Sequence, residues 1–371
     1  MLQNIITKKT NKTNNLRFIM QASGELVDNK IIVKKPKDAG RLYTKSHFGK
    51  SLSGNKIQLD LIEGVFLLSE SKIRIFQNKN EMGFQDLVKI AVQRIPEFGI
   101  KYLLFKDLRN RGHPIKLCEE NEHTTFYQFK QKDNDTNEKQ FYISAFSERD
   151  ILDLEDTKKV INEVTKKNGE LWYGIVDEEG DITYYDVTSL DLRGDIGKNV
   201  FPKGEGILLK NRVVLFDKKL SENLLKKEFF GKPFGDGLQL SLIEALYLSE
   251  LGVIGIQMNS GKKLSVKGLK KIIQKLQPDI QSRLTVFRDL KKRGLIVKTG
   301  FKFGAHFRAY TKQVDETHAE YLIHVVEKGF KSIWAEMSRA VRLAHSVNKE
   351  IVFARVDGDT IDYIKFGRLR P

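Results

Sequence analysis

Cysteine is nearly absent from this chain. A single residue, Cys118, among 371 excludes an internal disulfide, and no CxxC or HExxH pattern supports a zinc site. Long apolar stretches are missing as well. No run approaches the roughly 20 residues of a membrane-spanning helix, and the opening MLQNIITKKTNKTNNLRF lacks the apolar core of a signal peptide. The expectation is a soluble, intracellular, cytoplasmic protein with no metal, no cofactor and no membrane partner. Acidic residues fall short of basic ones, 48 against 64, leaving a formal net charge of +16. Such an excess attracts polyanions through the field of the whole molecule, so nucleic acid is the leading partner class.

What the chain does have is a copy of itself. FKDLRNRGHPIK, Phe105 to Lys116, matches FRDLKKRGLIVK, Phe287 to Lys298, at an offset of 182 residues. The same offset links HFGK at His47 with FFGK at Phe229, and NKIIV at Asn29 with NRVVL at Asn211. Between them, IQLDLIEGVFLL from Ile57 aligns with LQLSLIEALYLS from Leu238 after a one-residue gap. Register kept across separated segments marks two copies of one whole unit, at a period far too long for a solenoid. The organisation expected is a tail over 1–20, a first unit over 21–192, a junction over 193–203 rich in Gly, Pro and charge, and a second unit over 204–371.

Each unit reads as mixed α/β: a small N-terminal α/β subdomain followed by a mixed-sheet, nuclease-like subdomain. KIIV and RVVL are strand-like, and LSLIEALYLSEL is helical. Val266 to Leu276 has an amphipathic helical period with a basic face, and the next helix ends at Gly294 after a cationic last turn. Further strands follow, then a helix over Lys331 to Val347, then the strands EIVFARVD and TIDYIKFGRL.

The copies diverge in an informative place. Tyr310 aligns with Phe129, His318 with Glu138 and Lys349 with Gly169, while the frame ELWYGIVD against EIVFARVD persists. Three such groups lost together suggest a working set. A phenol, an imidazole and an ammonium suit metal-free RNA cleavage, which needs a base for the 2′-hydroxyl, an acid for the departing 5′-oxygen and a cation for the phosphorane. Tyr310 would accept, His318 would donate and Lys349 would stabilise.

Blander readings stand beside this one. A strand tyrosine is usually packed, a lysine in a helix-to-strand turn is usually solvated, and His306, His324 and His345 rival His318. The carboxylates of VDGDTID, Asp357 to Asp362, read as turn residues before they read as a metal site. Lysines between Lys262 and Lys275 form a solvated face that would also meet RNA backbone.

TGFKFGAHFRAY, then HAEYLIHVV, then RAVRLAHSVNKEIVFA together resemble the catalytic unit of archaeal tRNA-splicing endonucleases of the fused, two-unit type. The resemblance implies Tyr310, His318 and Lys349 as the catalytic triad. It also implies a homodimer that cuts precursor tRNA at bulge-helix-bulge motifs, leaving a 2′,3′-cyclic phosphate and a 5′-hydroxyl without a metal. Asp177, Glu178, Glu179 and Asp181, at the tip of VDEEGDITYY, fall where that family carries an acidic loop that docks into the other subunit; a plain turn is the alternative. Arg342 and Arg368 fall where the family sandwiches a bulge base, with Arg370 a near competitor. His306 stands where an acidic residue is common in the family, which implies a more positive setting for Tyr310. Two other readings compete: a non-catalytic RNA-binding or scaffold subunit, and a DNA nuclease that uses Mg²⁺-binding carboxylates.

Overall fold

The computed structural model describes residues 21–118, 124–128, 140–313 and 318–371. The tail over 1–20, and Phe129 and Glu138, the counterparts of Tyr310 and His318, lie outside the described residues. The chain forms two compact units, 1–129 and 130–371.

In the first unit, the strands of a six-stranded sheet run in the order Lys50–Leu52, Lys56–Leu59, Lys30–Val33, Ala22–Val27, Ile73–Gln77, Asn80–Glu81. Helix Leu61–Ser69 begins at a capping box: the Asp60 carboxylate accepts from the Glu63 N–H at 2.8 Å, and the Glu63 carboxylate accepts from the Asp60 N–H at 3.1 Å. The other Glu63 oxygen turns inward and accepts from the Gly49 N–H at 2.8 Å, while Lys116 Nζ donates to the Gly49 carbonyl.

The second unit repeats this arrangement over 204–264, with a six-stranded sheet of corresponding strand order. Ser241 and Glu244 form the capping box of helix Leu242–Glu250, and Glu244 reaches back to the Gly231 N–H at 3.0 Å. Lys298 closes the knot, donating to Glu244 at 3.0 Å and to the carbonyls of Phe229 and Gly231 at 2.6 and 2.9 Å. The repeat read from FKDLRNRGHPIK is therefore a repeat of buried polar chemistry as well as of apolar pattern.

The rest of the second unit is a large mixed sheet. Its strands are β1 (Gln140–Ser147), β3 (Gly169–Val176), β4 (Ile182–Ser189), β5 (Ile296–Thr299), β6 (Phe307–Tyr310), β7 (Tyr321–Glu327), β9 (Glu350–Asp357) and β10 (Thr360–Leu369). Within this unit they lie in the order β5-β6-β7-β9-β10-β4-β3-β1. Two short strands, β2 (Ile151–Asp153) and β8 (Lys331–Ile333), pair antiparallel apart from it. Helices α1 (Leu154–Lys166) and α3 (Trp334–Ser346) follow β2 and β8, and α2 (Ile280–Lys292) precedes β5.

Two sets of elements 180 residues apart meet at the middle of this sheet. β4 pairs with β10 antiparallel from Tyr184 opposite Leu369 to Ser189 opposite Ile364, so equivalent residues swap places across the seam. Asn168 and Asn348 make the same left-handed turn into β3 and β9, with φ of 53° and 54°. The large sheet thus draws strands from both copies of the repeat. At the seam the buried Trp334 packs against Phe146, Tyr173, Tyr185 and Phe366, with ring centroids 5.4, 5.7, 6.0 and 6.3 Å away.

Several sequence expectations meet their elements directly. Helix Val266–Leu276 and strands β9 and β10 have the expected bounds, and Gly294, at φ 79°, follows the end of α2. Lys331 to Val347 is not one helix. Its first three residues form β8, paired with β2, and the helix starts at Trp334. The junction also has structure of its own. Gly194 and Ile196 donate backbone bonds to Arg293 and Gly294 at 3.0 and 3.0 Å, and Asp195 donates to Thr311 at 2.8 Å. No helix among the described residues is long and apolar enough to cross a membrane.

Candidate active site

Three backbone segments are stitched together at one end of β6, β7 and β9. Ala309 lies opposite Tyr321, and the Glu320 N–H donates to the Ala309 carbonyl at 3.2 Å. Tyr321 pairs with Glu350, whose N–H donates to the Glu320 carbonyl at 2.9 Å. This ladder fixes Tyr310 at the last position of β6, Lys349 immediately before β9 and His318 three residues before β7. The backbone at these three positions, scattered over forty positions of sequence, therefore lies at the same end of three neighbouring strands.

Each has a different setting. Tyr310 is only 5% exposed; its side chain packs with Ile296 and Ala319, with Ile196 of the junction and Phe229 alongside. His318 is exposed. Lys349 is half-buried: the left-handed Asn348 turns the chain off α3, and the Lys349 N–H still bonds to the Ala344 carbonyl at 3.0 Å. Burial, then the Arg308 guanidinium and the Lys302 ammonium, holds the Lys349 amine below the ordinary lysine range.

The GFKFG motif explains part of this placement. A one-turn 3₁₀ helix, Phe301–Phe303, links β5 to β6 and ends at Gly304, which takes φ 68°. A side chain on Gly300 would come within 2.8 Å of the Phe307 carbonyl oxygen, so glycine is required by close approach. The turn sets the Phe303 ring 5.7 Å from Lys349 Nζ.

His306 does not join this edge. Its Nδ1 accepts from the Val325 N–H at 2.9 Å, its ring lies 4.7 Å from that of His324, and its Nε2 is 3.9 Å from Asp279. Burial first, then His324 and Arg283, pushes its pKa down to about 4, so His306 is neutral near pH 7. The expectation that it makes the setting of Tyr310 more positive is corrected on that ground. The cation beside Tyr310 is Arg308, with Cζ 5.8 Å from the ring centroid, and sequence reasoning passed over it inside the quoted FRAY. A cation in the middle of an apolar, alternating strand was the available signal.

Arg342 and Arg368 are both exposed, the first on α3 with Nε 3.4 Å from the Ser338 carbonyl, the second on β10 opposite Tyr185. Both charges act on the Tyr185 phenol. Burial raises its pKa, and the Ser338 hydroxyl, Arg342 and Arg368 oppose that rise. Arg370 is exposed just beyond β10.

The four acids over 177–181 form the turn between β3 and β4, and they are not equivalent. The Asp177 carboxylate accepts from the N–H groups of Glu179 and Asp181 at 3.0 and 2.9 Å, which holds the turn together. Glu178 pairs with Arg149. Glu179 and Asp181 are exposed at the tip. In the corresponding turn between β9 and β10, Asp357 meets Lys328 at 3.1 Å and Asp362 meets Arg355 at 2.8 Å.

Comparison with known proteins follows the same division. The catalytic C-terminal domain of tRNA intron endonucleases matches residues 280–363, and the N-terminal domain of that family matches twice, at 22–88 and 204–270. The chain is 34% identical to a tRNA-splicing endonuclease of Methanococcoides burtonii, over 93% of this chain and 99% of the relative. It is 30% identical to that of Methanosarcina mazei, over 89% and 94%. A relative from Methanopyrus kandleri of the same description is 38% identical over 36% of this chain and 74% of its own length. The catalytic-domain match contains Tyr310, His318, Arg342 and Lys349 and ends before Arg368.

Proposed function

The chain belongs to the tRNA intron endonuclease family, and on that premise we propose that it cuts precursor tRNA at bulge-helix-bulge motifs, without a metal, to 2′,3′-cyclic phosphate and 5′-hydroxyl ends. The observation that supports the reading is the backbone ladder joining Ala309, Glu320 and Glu350, since Tyr310, His318 and Lys349 each stand within two residues of it in sequence.

In the proposed step the Tyr310 oxygen takes the proton of the 2′-hydroxyl as the 2′-oxygen bonds to phosphorus. His318 gives a proton to the 5′-oxygen as the phosphorus–oxygen bond to it breaks, and the Lys349 ammonium faces the charge that gathers on the phosphorane. No oxidant and no net proton enters or leaves the reaction. Arg342 and Arg368 are assigned to clamp a bulge base, for which planar guanidinium groups are suited. The acidic turn over 177–181 is assigned to docking between two copies of the chain, with the unit boundary near 193–203 and a cytoplasmic setting completing the reading.

The test is cleavage of a bulged precursor tRNA in excess EDTA by the wild type and by His318→Ala. The expected result is undiminished wild-type cutting with a cyclic-phosphate end, no cutting of a substrate that lacks the 2′-hydroxyl at the junction, and a loss of 10²-fold or more in the variant. Unchanged cleavage by His318→Ala removes that residue from the mechanism.

A further inference from the structure

Arg308 occupies an unusual place. It lies two positions before Tyr310 on β6, hence on the same face of the strand. Its register partners are Lys298 on one side and Leu322 on the other. Its Nε is out of contact with solvent and has no hydrogen-bond partner among the described residues. Two other arginines of this unit that are largely withdrawn from solvent meet carboxylates: Arg355 holds Glu155 and Asp362 at 2.8 and 2.8 Å, and Arg293 holds Asp191 at 2.6 Å. Among the described residues Arg308 has no ion pair at all.

Its neighbours add to the imbalance. Lys298 is fully engaged by Glu244 and two carbonyls. Among the described residues the Lys349 ammonium hydrogen-bonds only to the Val347 carbonyl, at 3.4 Å, and Lys302 and Arg308 both disfavour its charge. Glu320, the carboxylate on the adjacent strand end, accepts the Thr311 hydroxyl at 2.6 Å. Among the described residues no carboxylate is ion-paired with either the guanidinium or the ammonium at this partly dry end of the strands. A cation partly withdrawn from water without a counter-charge is unfavourable, and an incoming anion relieves it.

We infer that Arg308 is a phosphate-binding residue, whose guanidinium holds the non-bridging oxygens of the scissile phosphodiester between Tyr310 and Lys349. The planar fork fits two phosphate oxygens at once, which a lysine does not. The cation–π contact with the Tyr310 ring, with Cζ 5.8 Å from the centroid, keeps the guanidinium beside the phenol. The inference rests on the proposed cleavage reaction at this edge.

The experiment uses the full chain and a bulged precursor tRNA under single-turnover conditions, with affinity measured on the same RNA carrying a 2′-deoxy residue at the cut. Arg308→Gln is expected to slow cleavage by about 100-fold while the dissociation constant moves less than about threefold. Arg308→Lys is expected to keep an intermediate rate, and Arg308→Ala to regain rate when methylguanidinium is added. A merely structural arginine lowers the melting temperature and the rate together and shows no rescue by added guanidinium; that result, or an unchanged rate in Arg308→Gln, overturns the inference. Tyr310→Phe and Lys349→Ala run in parallel. If they cut normally, the reaction assigned to this edge fails; if they are inactive while Arg308→Gln cuts normally, only the role of Arg308 fails.

Discussion

The ring of Tyr142 occupies the space into which a side chain at Gly169 would project. A Cβ built on Gly169 comes within 2.7 Å of Tyr142 Cε2 and 2.9 Å of the Gln140 carbonyl oxygen. Gly169 is the counterpart of Lys349, so the first copy lacks the room for that lysine as well as the lysine itself. Gly169→Lys, placed in a Lys349→Ala background, is expected to lower stability by about 1–3 kcal/mol through overpacking and to restore no cleavage. A thermal melt and a cleavage assay on the same sample check both parts.

The knot around Glu244 makes a second prediction. Lys298 and Glu244 side chains are 12% and 7% exposed and lie 3.0 Å apart. Removing one partner strands the other in the interior. Lys298→Met is therefore expected to destabilise the second unit by about 3–5 kcal/mol, and the double variant with Glu244→Gln to recover part of that loss. Denaturant melts of the two single variants and the double variant give the coupling directly; additive losses would show that the pair does not act as one.

In the first unit the corresponding glutamate carries a pH dependence. Burial, and then Asp60, pushes Glu63 up to about 8, against the pull of the Gly49 and Asp60 N–H groups and Lys116. A carboxyl whose folded pKa is raised favours the folded state fully below its unfolded value of 4.5, and that contribution is lost as pH rises through about 8. Glu63→Gln retains the capping box without the titration. The variant is expected to gain in melting temperature relative to wild type as pH rises from 5 to 9. A difference that stays constant across that range would mean that Glu63 is ionised throughout.

Much of this was legible in the sequence because the signals were local. The bounds of β9 and β10 follow from apolar runs between turn residues, and helix Val266–Leu276 follows from its period. The repeat in FKDLRNRGHPIK implied two copies of one unit, and the knot that Lys116 and Lys298 close in them emerges only in the fold. Strand β8 was not legible, because its partner Ile151–Asp153 is far away in sequence and a helical period runs on through Lys331–Ile333. Arg308 was half legible: a cation inside the alternating FRAY strand was a signal, but the lack of a counter-charge is a property of the space around it, and no window of sequence contains that space. His306 misled because adjacency in GAHFRAY suggested adjacency to Tyr310, whereas the chain turns its ring toward His324 and Asp279.

The acidic turn divides its four carboxylates in a way that sharpens the dimer proposal. Asp177 is committed to the backbone of its own turn and Glu178 to Arg149, so substitution of either changes the shape or the local pairing of the turn before it changes any contact with another molecule. Glu179 and Asp181 are exposed at the tip and are the two charges able to meet a basic surface without first breaking a bond inside the chain. If the turn docks into a second copy, Glu179→Lys with Asp181→Lys should weaken the dimer by about 10-fold or more per opposed pair, since like charges brought together at an interface are unfavourable by several kcal/mol. Loss of cleavage should follow dilution below the new dissociation constant, and Arg149→Ala should leave both largely intact. Sedimentation equilibrium at several concentrations, alongside cleavage rates at the same concentrations, measures the two effects together. A double variant that sediments and cuts like the wild type would remove the turn from the interface.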